Sequence, residues 1–537
     1  MKARVPLLAA VPFLLVSAAL AAAGEAALAD PVRLDTGLIS GGVAGGDVRV
    51  YKGIPFAAPP VGDLRWRPPQ PAKPWDGVRA CIEFGPWCPQ PKPLMGKELG
   101  PLSEDCLTLN VWTPAKSPGD RLPVMVWLHG GGHTTGSGSA SFYDGEHLAR
   151  EGVVVVTINY RLGPFGYLAH PLLSKESERG VSGNYGLLDQ IAALGWVQRN
   201  IAAFGGNPGC VTIFGESAGA VSVCRLMVSP LAKGLFHRAI AESGGAHGRN
   251  RHLREARDNL EPMEKIGEQL AAELRCDRAA DPLAALRAKP WQDILEAAKP
   301  SQGLFGKGVH FGPIVDGWAL PDDPVALFEA GKQADVPLLV GSNADDGSVF
   351  TRQLPIRTLA RYKLMLRRRF RDHADEVLRL FPADRTSEVP AAFSRLVTAA
   401  AFVAPARFLA RSMAKTQSKA YLYHFTRVPP GEKLKSLGAF HALEIAYVFG
   451  TLEGKPGFDE RDLALSRTMR KAWARFAATG DPNGDGLPQW PACRQETDAY
   501  LELGDEVVAK AGLYKAACDL FDKLAHEQGQ QRDATDF

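Results

Sequence analysis

Gly215-Glu216-Ser217-Ala218-Gly219 constrains this chain more than any other stretch. It fits G-x-S-x-G, the nucleophile elbow, and it is the only match in the sequence. The motif demands a strand that stops abruptly and a helix that starts at once, with a serine held at the tip in strained backbone. Flanking glycines let such a turn close without a side chain in the way. The neighbouring residues suit that demand. Val211-Thr212-Ile213-Phe214 has the content of a short buried strand, and Ala218-Gly219-Ala220-Val221-Ser222-Val223 opens a helix of small residues. An ordinary strand-to-helix turn with a capping serine would look similar in isolation, so the motif acquires meaning only from partners elsewhere.

An elbow of this kind needs a sheet behind it, and the chain supplies one. After a Gly/Pro-rich, β-like start through Tyr51 to Pro60, the runs Leu107 to Trp112, Val124 to Leu128, Val153 to Asn159 and Pro337 to Val340 are apolar, largely β-branched and of strand length. Leu187 to Phe204 reads as an amphipathic helix that ends at Gly205-Gly206. Strands alternating with helices predict an α/β fold, a central, mostly parallel sheet flanked by helices. The charged helical stretches near 250–320 and 350–415 contribute little to that alternation and read as insertions over one end of the sheet. With 45% hydrophobic and 23% charged residues, the 537-residue chain has the make-up of an ordinary globular protein. A net charge of +3 makes no case for nucleic acid as a partner.

Lys2 and Arg4 precede an almost wholly apolar run from Val5 to Ala23, and Ala27-Leu28-Ala29 is a small-x-small cleavage site. Residues 1–29 therefore read as a signal peptide and 30–537 as the exported domain, secreted or periplasmic. An uncleaved anchor is the competing reading, and the cleavage site argues for removal. No other apolar run reaches spanning length, so no membrane attachment is expected after cleavage. The eight cysteines show neither CxxC nor zinc spacing.

A serine hydroxyl needs a base, and the base needs an orienting carboxylate. The expected chain order after an elbow is serine, acid, histidine. Leu338-Leu339-Val340 runs into a turn with two adjacent aspartates, Asp345 and Asp346, and His441 lies in a later loop-like segment. Among the other histidines, His424 sits in an apparent strand and reads as a core residue, His526 lies in a polar tail, and His237 and His247 precede the acid. His129-Gly130-Gly131-Gly132 follows the strand Val124 to Leu128, where free backbone N–H groups would meet a developing oxyanion.

Many segments in order then make the chain resemble the type-B carboxylesterase/lipase family. They include Gly53-Ile54-Pro55-Phe56-Ala57, Leu64-Arg65-Trp66 and Ser103-Glu104-Asp105-Cys106-Leu107-Thr108-Leu109-Asn110-Val111. Asn159-Tyr160-Arg161, Gly183 to Gln190, Phe204 to Pro208 and Thr479-Gly480-Asp481-Pro482-Asn483 extend the likeness from about residue 31 to the C-terminus. The resemblance implies an α/β-hydrolase fold with helical insertions over the active site. It implies Ser217 as nucleophile, His441 as general base and Asp346 as acid, with Gly131, Gly132 and Ala218 as oxyanion donors. It also implies a Cys88–Cys106 disulfide, structural ion pairs Arg65–Glu104 and Arg161–Asp189, a structural Glu216, and Ser243 in support of the acid.

Three departures stand out. Most family members carry Glu where Asp346 stands. The usual aromatic after the glycine triplet is His133, placed at the wall of the substrate pocket. The family's second disulfide has no counterpart, and a Cys493–Cys518 pair stays open.

The function implied is hydrolysis of small-molecule carboxylic esters through an acyl-enzyme on Ser217, by a monomer or homodimer without a cofactor or metal. Bulky or polycarboxylate esters, including fumonisin-type toxins, are one substrate class the resemblance brings in. The segment between Cys88 and Cys106 lacks the tryptophan of choline-binding members. A catalytically inactive binding or adhesion protein on the same fold, or a lipase, are the competing readings.

Overall fold

The structure is a computed structural model that describes Leu28 and residues 30–533, apart from 94–97, Arg249, Asp258 and Gln353. The expected signal segment, Leu28 excepted, lies outside the described residues, as does the side chain of His526.

Strands form where the apolar runs predict them. In chain order they begin with β1 (Val32–Arg33), β2 (Leu38–Ser40), β3 (Gly42–Ala44), β4 (Val48–Pro55) and β5 (Val78–Ala80). Next come β6 (Thr108–Thr113), β7 (Leu122–Leu128), β8 (Val154–Ile158), β9 (Gly206–Glu216) and β10 (Arg238–Glu242). The last are β11 (Leu338–Asn343), β12 (Ala420–Phe425), β13 (Ala499–Leu503) and β14 (Val507–Ala511). Strands β1, β2 and β5 make a small separate sheet. The other eleven form one sheet in the order β14-β13-β12-β11-β10-β9-β7-β8-β6-β4-β3. It is parallel from β8 through β13 and antiparallel at both margins, where β6, β4 and β3 on one side and β14 on the other reverse direction.

The parallel strands are buried on both faces. Val124 to Leu128 and Val154 to Val156 are fully enclosed, which is why their sequences run apolar without alternation. Register then sets the site. Leu128 pairs with Gly215, Glu242 with Glu216, and Gly341 with Glu242, so β7, β9, β10 and β11 end in one row. Every loop that follows them opens at the same carboxyl edge of the sheet, where ligands of such sheets bind.

Three expectations are corrected. The helix predicted over Leu187 to Phe204 begins at Tyr185, turns 3-10 at Ile201–Phe204 and closes on Gly205 in the left-handed region. It is buried on most sides rather than amphipathic, because it lies in a groove between other helices and the sheet. The run Thr386–Lys415 is long and apolar enough to span a membrane by length and composition, against the expectation of no such run, but 67% of its apolar window is buried in the protein. Its last part, Ala404–Ser412, packs on β11 and β12, so this piece covers the sheet and is not an insertion over its end.

All eight cysteines are free thiols. Cys88 and Cys106 are buried neighbours, and their thiol contact together with burial pushes Cys106 well above the usual thiol range. The two thiols implied by the resemblance as a disulfide are neighbours but not at bonding distance in the structure. Cys493 and Cys518 are likewise unpaired.

Candidate active site

The elbow is built as the motif demands. Ser217 has φ 55° and ψ −120°, a conformation that costs a non-glycine residue on the order of 1–3 kcal/mol. The strain is held from both sides: Ser217 N–H donates to Glu242 O at 2.9 Å, and its carbonyl accepts from Val221 N–H at 2.9 Å. Glycine is required at two neighbours. A Cβ on Gly219 would lie 1.9 Å from Leu128 O, and one on Gly215 would lie 2.6 Å from the same atom. Any larger residue would push the nucleophile turn off the end of β7.

The loop after β7 meets this turn. A Cβ on Gly130 would come 3.2 Å from Ser217 Cβ. Gly131 and Gly132 have φ 102° and 64°, and a Cβ on Gly131 would strike Thr135 O at 2.2 Å. Their N–H groups and that of Ala218 take no hydrogen bond among the described residues. His129 is a structural member of the loop. It stacks on Tyr160 at 4.3 Å, hydrogen-bonds Gly130 O through Nδ1 at 2.9 Å, and burial lowers its pKa to about 4.

The acid and the histidine come from loops after β11 and β12. His441 Nδ1 lies 2.8 Å from Asp346 Oδ1, both side chains fully enclosed. Asp346 Oδ2 accepts from Ser243 Oγ at 3.0 Å and from Asn343 N–H at 2.7 Å. Asp345 turns the other way and accepts from Ala439 N–H at 2.9 Å, pairing the acid loop with the histidine loop at Phe440. That pairing draws the two loops together and explains how a carboxylate one methylene shorter than glutamate reaches His441. The imidazole is wedged between Phe350 and Phe402, each 4.9 Å away between centroids.

Nε2 of His441 makes no hydrogen bond to Ser217 Oγ or to any other group among the described residues. Its near neighbour is Glu216 Oε1 at 3.0 Å, in poor hydrogen-bond alignment. Glu216, read from the sequence as merely structural, therefore stands beside the base. A second missed residue is Glu444, whose carboxyl lies 3.3 Å from Ser243 Oγ and accepts from Asn343 Nδ2. Burial, then Asp346 and Glu242, push Glu216 well above the usual carboxylate range. Burial, then Glu216, Asp346 and Glu242, do the same to Glu444. Both shifts run toward the neutral carboxyl, the direction that limits further negative charge next to the Asp346–His441 pair. Glu444 was legible only as a helical neighbour of His441, three residues on.

His133 follows the glycines with φ 56°, and its Nε2 lies 3.0 Å from Ser222 Oγ, which also accepts from Gln190 Nε2 at 3.0 Å. Its ring thus rests against the first turns of the helix Ala218–Val228. Arg225, on the same helix and buried, donates to Ala246 O at 3.0 Å and to Asn250 Oδ1 at 2.9 Å, with no carboxylate in direct contact. The expected ion pairs form. Arg65 holds Glu104 with Nε–Oε2 2.7 Å, and Arg161 holds Asp189 with two bonds of 2.8 and 2.7 Å. His424 is a buried strand residue, as expected.

The carboxylesterase family model matches residues 29–521. The chain belongs to the carboxylesterase family. This carboxylesterase is 41% identical over 502 residues to the fumonisin B1 esterase of Sphingopyxis macrogoltabida, covering 91% of this chain and 89% of that one. It is 37% identical over 476 residues to the para-nitrobenzyl esterase of Bacillus subtilis (strain 168), covering 86% and 92%. Among solved structures, a PNB esterase superposes with TM-score 0.76 at 35% identity, covering 90% of this chain and 97% of that one. A thermophilic PNB esterase gives 0.78 at 34%, covering 91% and 99%. The fold is the α/β-hydrolase fold, and the enzyme is a serine esterase that hydrolyses carboxylic esters.

Proposed function

We propose that Ser217 is the nucleophile of this esterase, His441 its general base and acid, and Asp346 the carboxylate that orients His441. The observation that carries the reading is the strained Ser217 at the row of strand ends, with a buried His441–Asp346 pair at 2.8 Å and three N–H groups of the adjoining turns free of hydrogen bonds among the described residues. With Nδ1–H held by Asp346, the Nε2 lone pair faces the elbow. As an ester enters, Ser217 Oγ closes on Nε2 and loses its proton to it while bonding to the carbonyl carbon; catalytic bonds of this kind are often long before substrate binds. Gly131, Gly132 and Ala218 donate to the oxyanion, each worth roughly 10²–10³ in rate. Collapse breaks the C–O bond and Nε2 returns the proton to the leaving alcohol. Water then repeats the sequence on the acyl-enzyme.

Substitution Ser217→Ala tests the assignment. Loss of p-nitrophenyl ester turnover and of fluorophosphonate labelling, with the melting temperature kept, is expected. Near-wild-type turnover would reject Ser217 and favour neither the inactive-adhesion reading nor this one.

We further propose that the acyl group carries free carboxylates. Two things support this: the likeness to a protein named for fumonisin B1, and the buried Arg225 on the helix that His133 contacts, whose hydrogen-bond partners are all neutral although Asp323 lies near. Exposed Leu304 and Phe305, at 48% and 47%, follow Gly303, which borders Gly132, and offer an apolar rest for a long alcohol. Comparing a tricarballylate ester with an acetate ester of the same alcohol decides the question. Export of residues 30–537 after removal of 1–29, and closure of Cys88–Cys106 in an oxidising compartment, complete the reading; intact mass before and after reduction tests both.

A further inference from the structure

His310 was not singled out by sequence, having no motif around it. It lies in the segment Ser301 to Gly312, which is tied to the oxyanion loop by Thr134 Oγ1 donating to Ser301 O at 3.1 Å. His310 keeps part of its surface in contact with solvent although surrounding protein largely desolvates its ring, and neither ring nitrogen takes a hydrogen bond among the described residues. Across from it, the buried His133 commits Nε2 to Ser222 Oγ, and its Nδ1 takes no hydrogen bond from another side chain among the described residues.

The two free nitrogens converge on one point. A Cβ placed on Gly312 would lie 3.4 Å from His133 Nδ1 and 3.4 Å from His310 Nε2. The nitrogens are therefore no more than about 7 Å apart, a gap that a carboxylate accepting bonds of about 2.8 Å from each side can bridge. The gap exists because residue 312 has no side chain.

We propose that His133 and His310 form a carboxylate-binding subsite for the acyl group, opened by the absence of a side chain at Gly312. The subsite rests on the polycarboxylate reading given above and names its recognition groups. His133 is joined to Gly132, so a carboxylate held there belongs to the acyl half of the ester bound at the oxyanion loop.

Charge completes the argument. The groups around His133 are Arg225, His129 and His310, with the Tyr160 and Tyr167 rings packed at 6.5 and 5.4 Å; Arg251 faces His310. None of these is an acid. Burial, then His310, Arg225 and His129, hold His133 well below the usual imidazole range, and burial, then Arg251, lowers His310. Both shifts favour the neutral imidazoles in the empty subsite. A bound carboxylate favours the protonated pair, so anion binding takes up a proton.

The test compares kcat/KM for a p-nitrophenyl monoester of tricarballylate with that for p-nitrophenyl acetate, as a ratio, so that effects on the catalytic steps common to both esters cancel. In the wild type the ratio rises as pH falls from about 8 to 6, by up to roughly tenfold per unit. His310→Gln lowers the ratio roughly 10- to 100-fold and flattens its pH slope. Gly312→Ala keeps both histidines and meets them at ordinary contact distance, so the fold survives; it lowers the ratio by filling the gap. If the wild type turns over the acetate but not the tricarballylate ester, the substrate reading fails by itself. The subsite then stands only if free tricarballylate competes with the acetate ester, more strongly at lower pH, and loses that in Gly312→Ala. A ratio and an inhibition constant indifferent to pH, or to both substitutions, overturn the subsite.

Discussion

Replacing Asp346 by Glu, the residue usual in the family, is expected to damage this esterase. Asp346 is fully buried, with Oδ1 2.8 Å from His441 and Oδ2 held by Ser243 Oγ at 3.0 Å and Asn343 N–H at 2.7 Å. One methylene adds about 1.5 Å of reach. The acid loop cannot retreat to absorb it, because three bonds tie it to the histidine loop: Asp345 N–H to Ala439 O at 3.0 Å, Ala439 N–H to Asp345 Oδ2 at 2.9 Å, and Asn343 Nδ2 to Phe440 O at 2.9 Å. Phe350 and Phe402 block the imidazole from sliding aside. Overpacking of this kind costs roughly 1–3 kcal/mol, and a base displaced by about 1 Å loses about 10² in rate. The expected result for Asp346→Glu is a 10- to 100-fold fall in kcat/KM for p-nitrophenyl acetate and a melting temperature lower by a few degrees. Asp346→Asn, which keeps the size and removes the charge, should lose about 10³–10⁴ in kcat with little change in melting temperature. A Glu variant within twofold of wild type and equally stable would refute the idea that the loop pairing is matched to aspartate.

Three further outcomes follow from the same geometry. Gly131→Ala should lower kcat by about 10²–10³, since its Cβ would meet Thr135 O at 2.2 Å and turn the oxyanion N–H away; an unchanged kcat would remove Gly131 from the hole. Ser243→Ala deprives Asp346 of one of its donors and should reduce kcat roughly tenfold at constant KM while moving the acidic limb of the pH profile upward; a KM effect alone would contradict a positioning role. Burial pushes Glu242 up to about 8 from 4.5, so its contribution to stability is full below the unfolded value and lost as pH rises through 8. Glu242→Gln keeps an acceptor for Trp473 Nε1 and cannot ionise, so it should melt higher than wild type above pH 8, by up to about 5 kcal/mol of stability; equal pH dependence in thermal melts would show that Glu242 stays neutral or solvated.

Much of the reaction centre was written locally. The Gly215-Glu216-Ser217-Ala218-Gly219 turn and the glycine triplet at 130–132 are legible because backbone that must reach unusual φ values, or pass close to another chain segment, leaves glycine as its trace. Strands β7, β8 and β11 are legible because burial on both faces makes a sequence continuously apolar. Thr386–Lys415 shows the limit of that signal: apolar composition states that a helix is buried, and not whether lipid, sheet or other helices bury it.

The sequence by itself determined the chemistry on offer: a serine at an elbow, a glycine loop to meet an oxyanion, and a histidine and an aspartate in the right order. Tertiary structure decided which groups meet. Asp346 and not Asp345 faces His441, since the loop pairing at Phe440 points adjacent side chains in opposite directions. Glu216 moves from scaffold to neighbour of the base, and His310 and His133, 177 residues apart in the numbering, come to share the space at Gly312. The physical reason is one of range. Turn chemistry and hydrophobic period act over a few residues, whereas the direction of a loop side chain follows from strand register and loop pairing set by contacts hundreds of residues away.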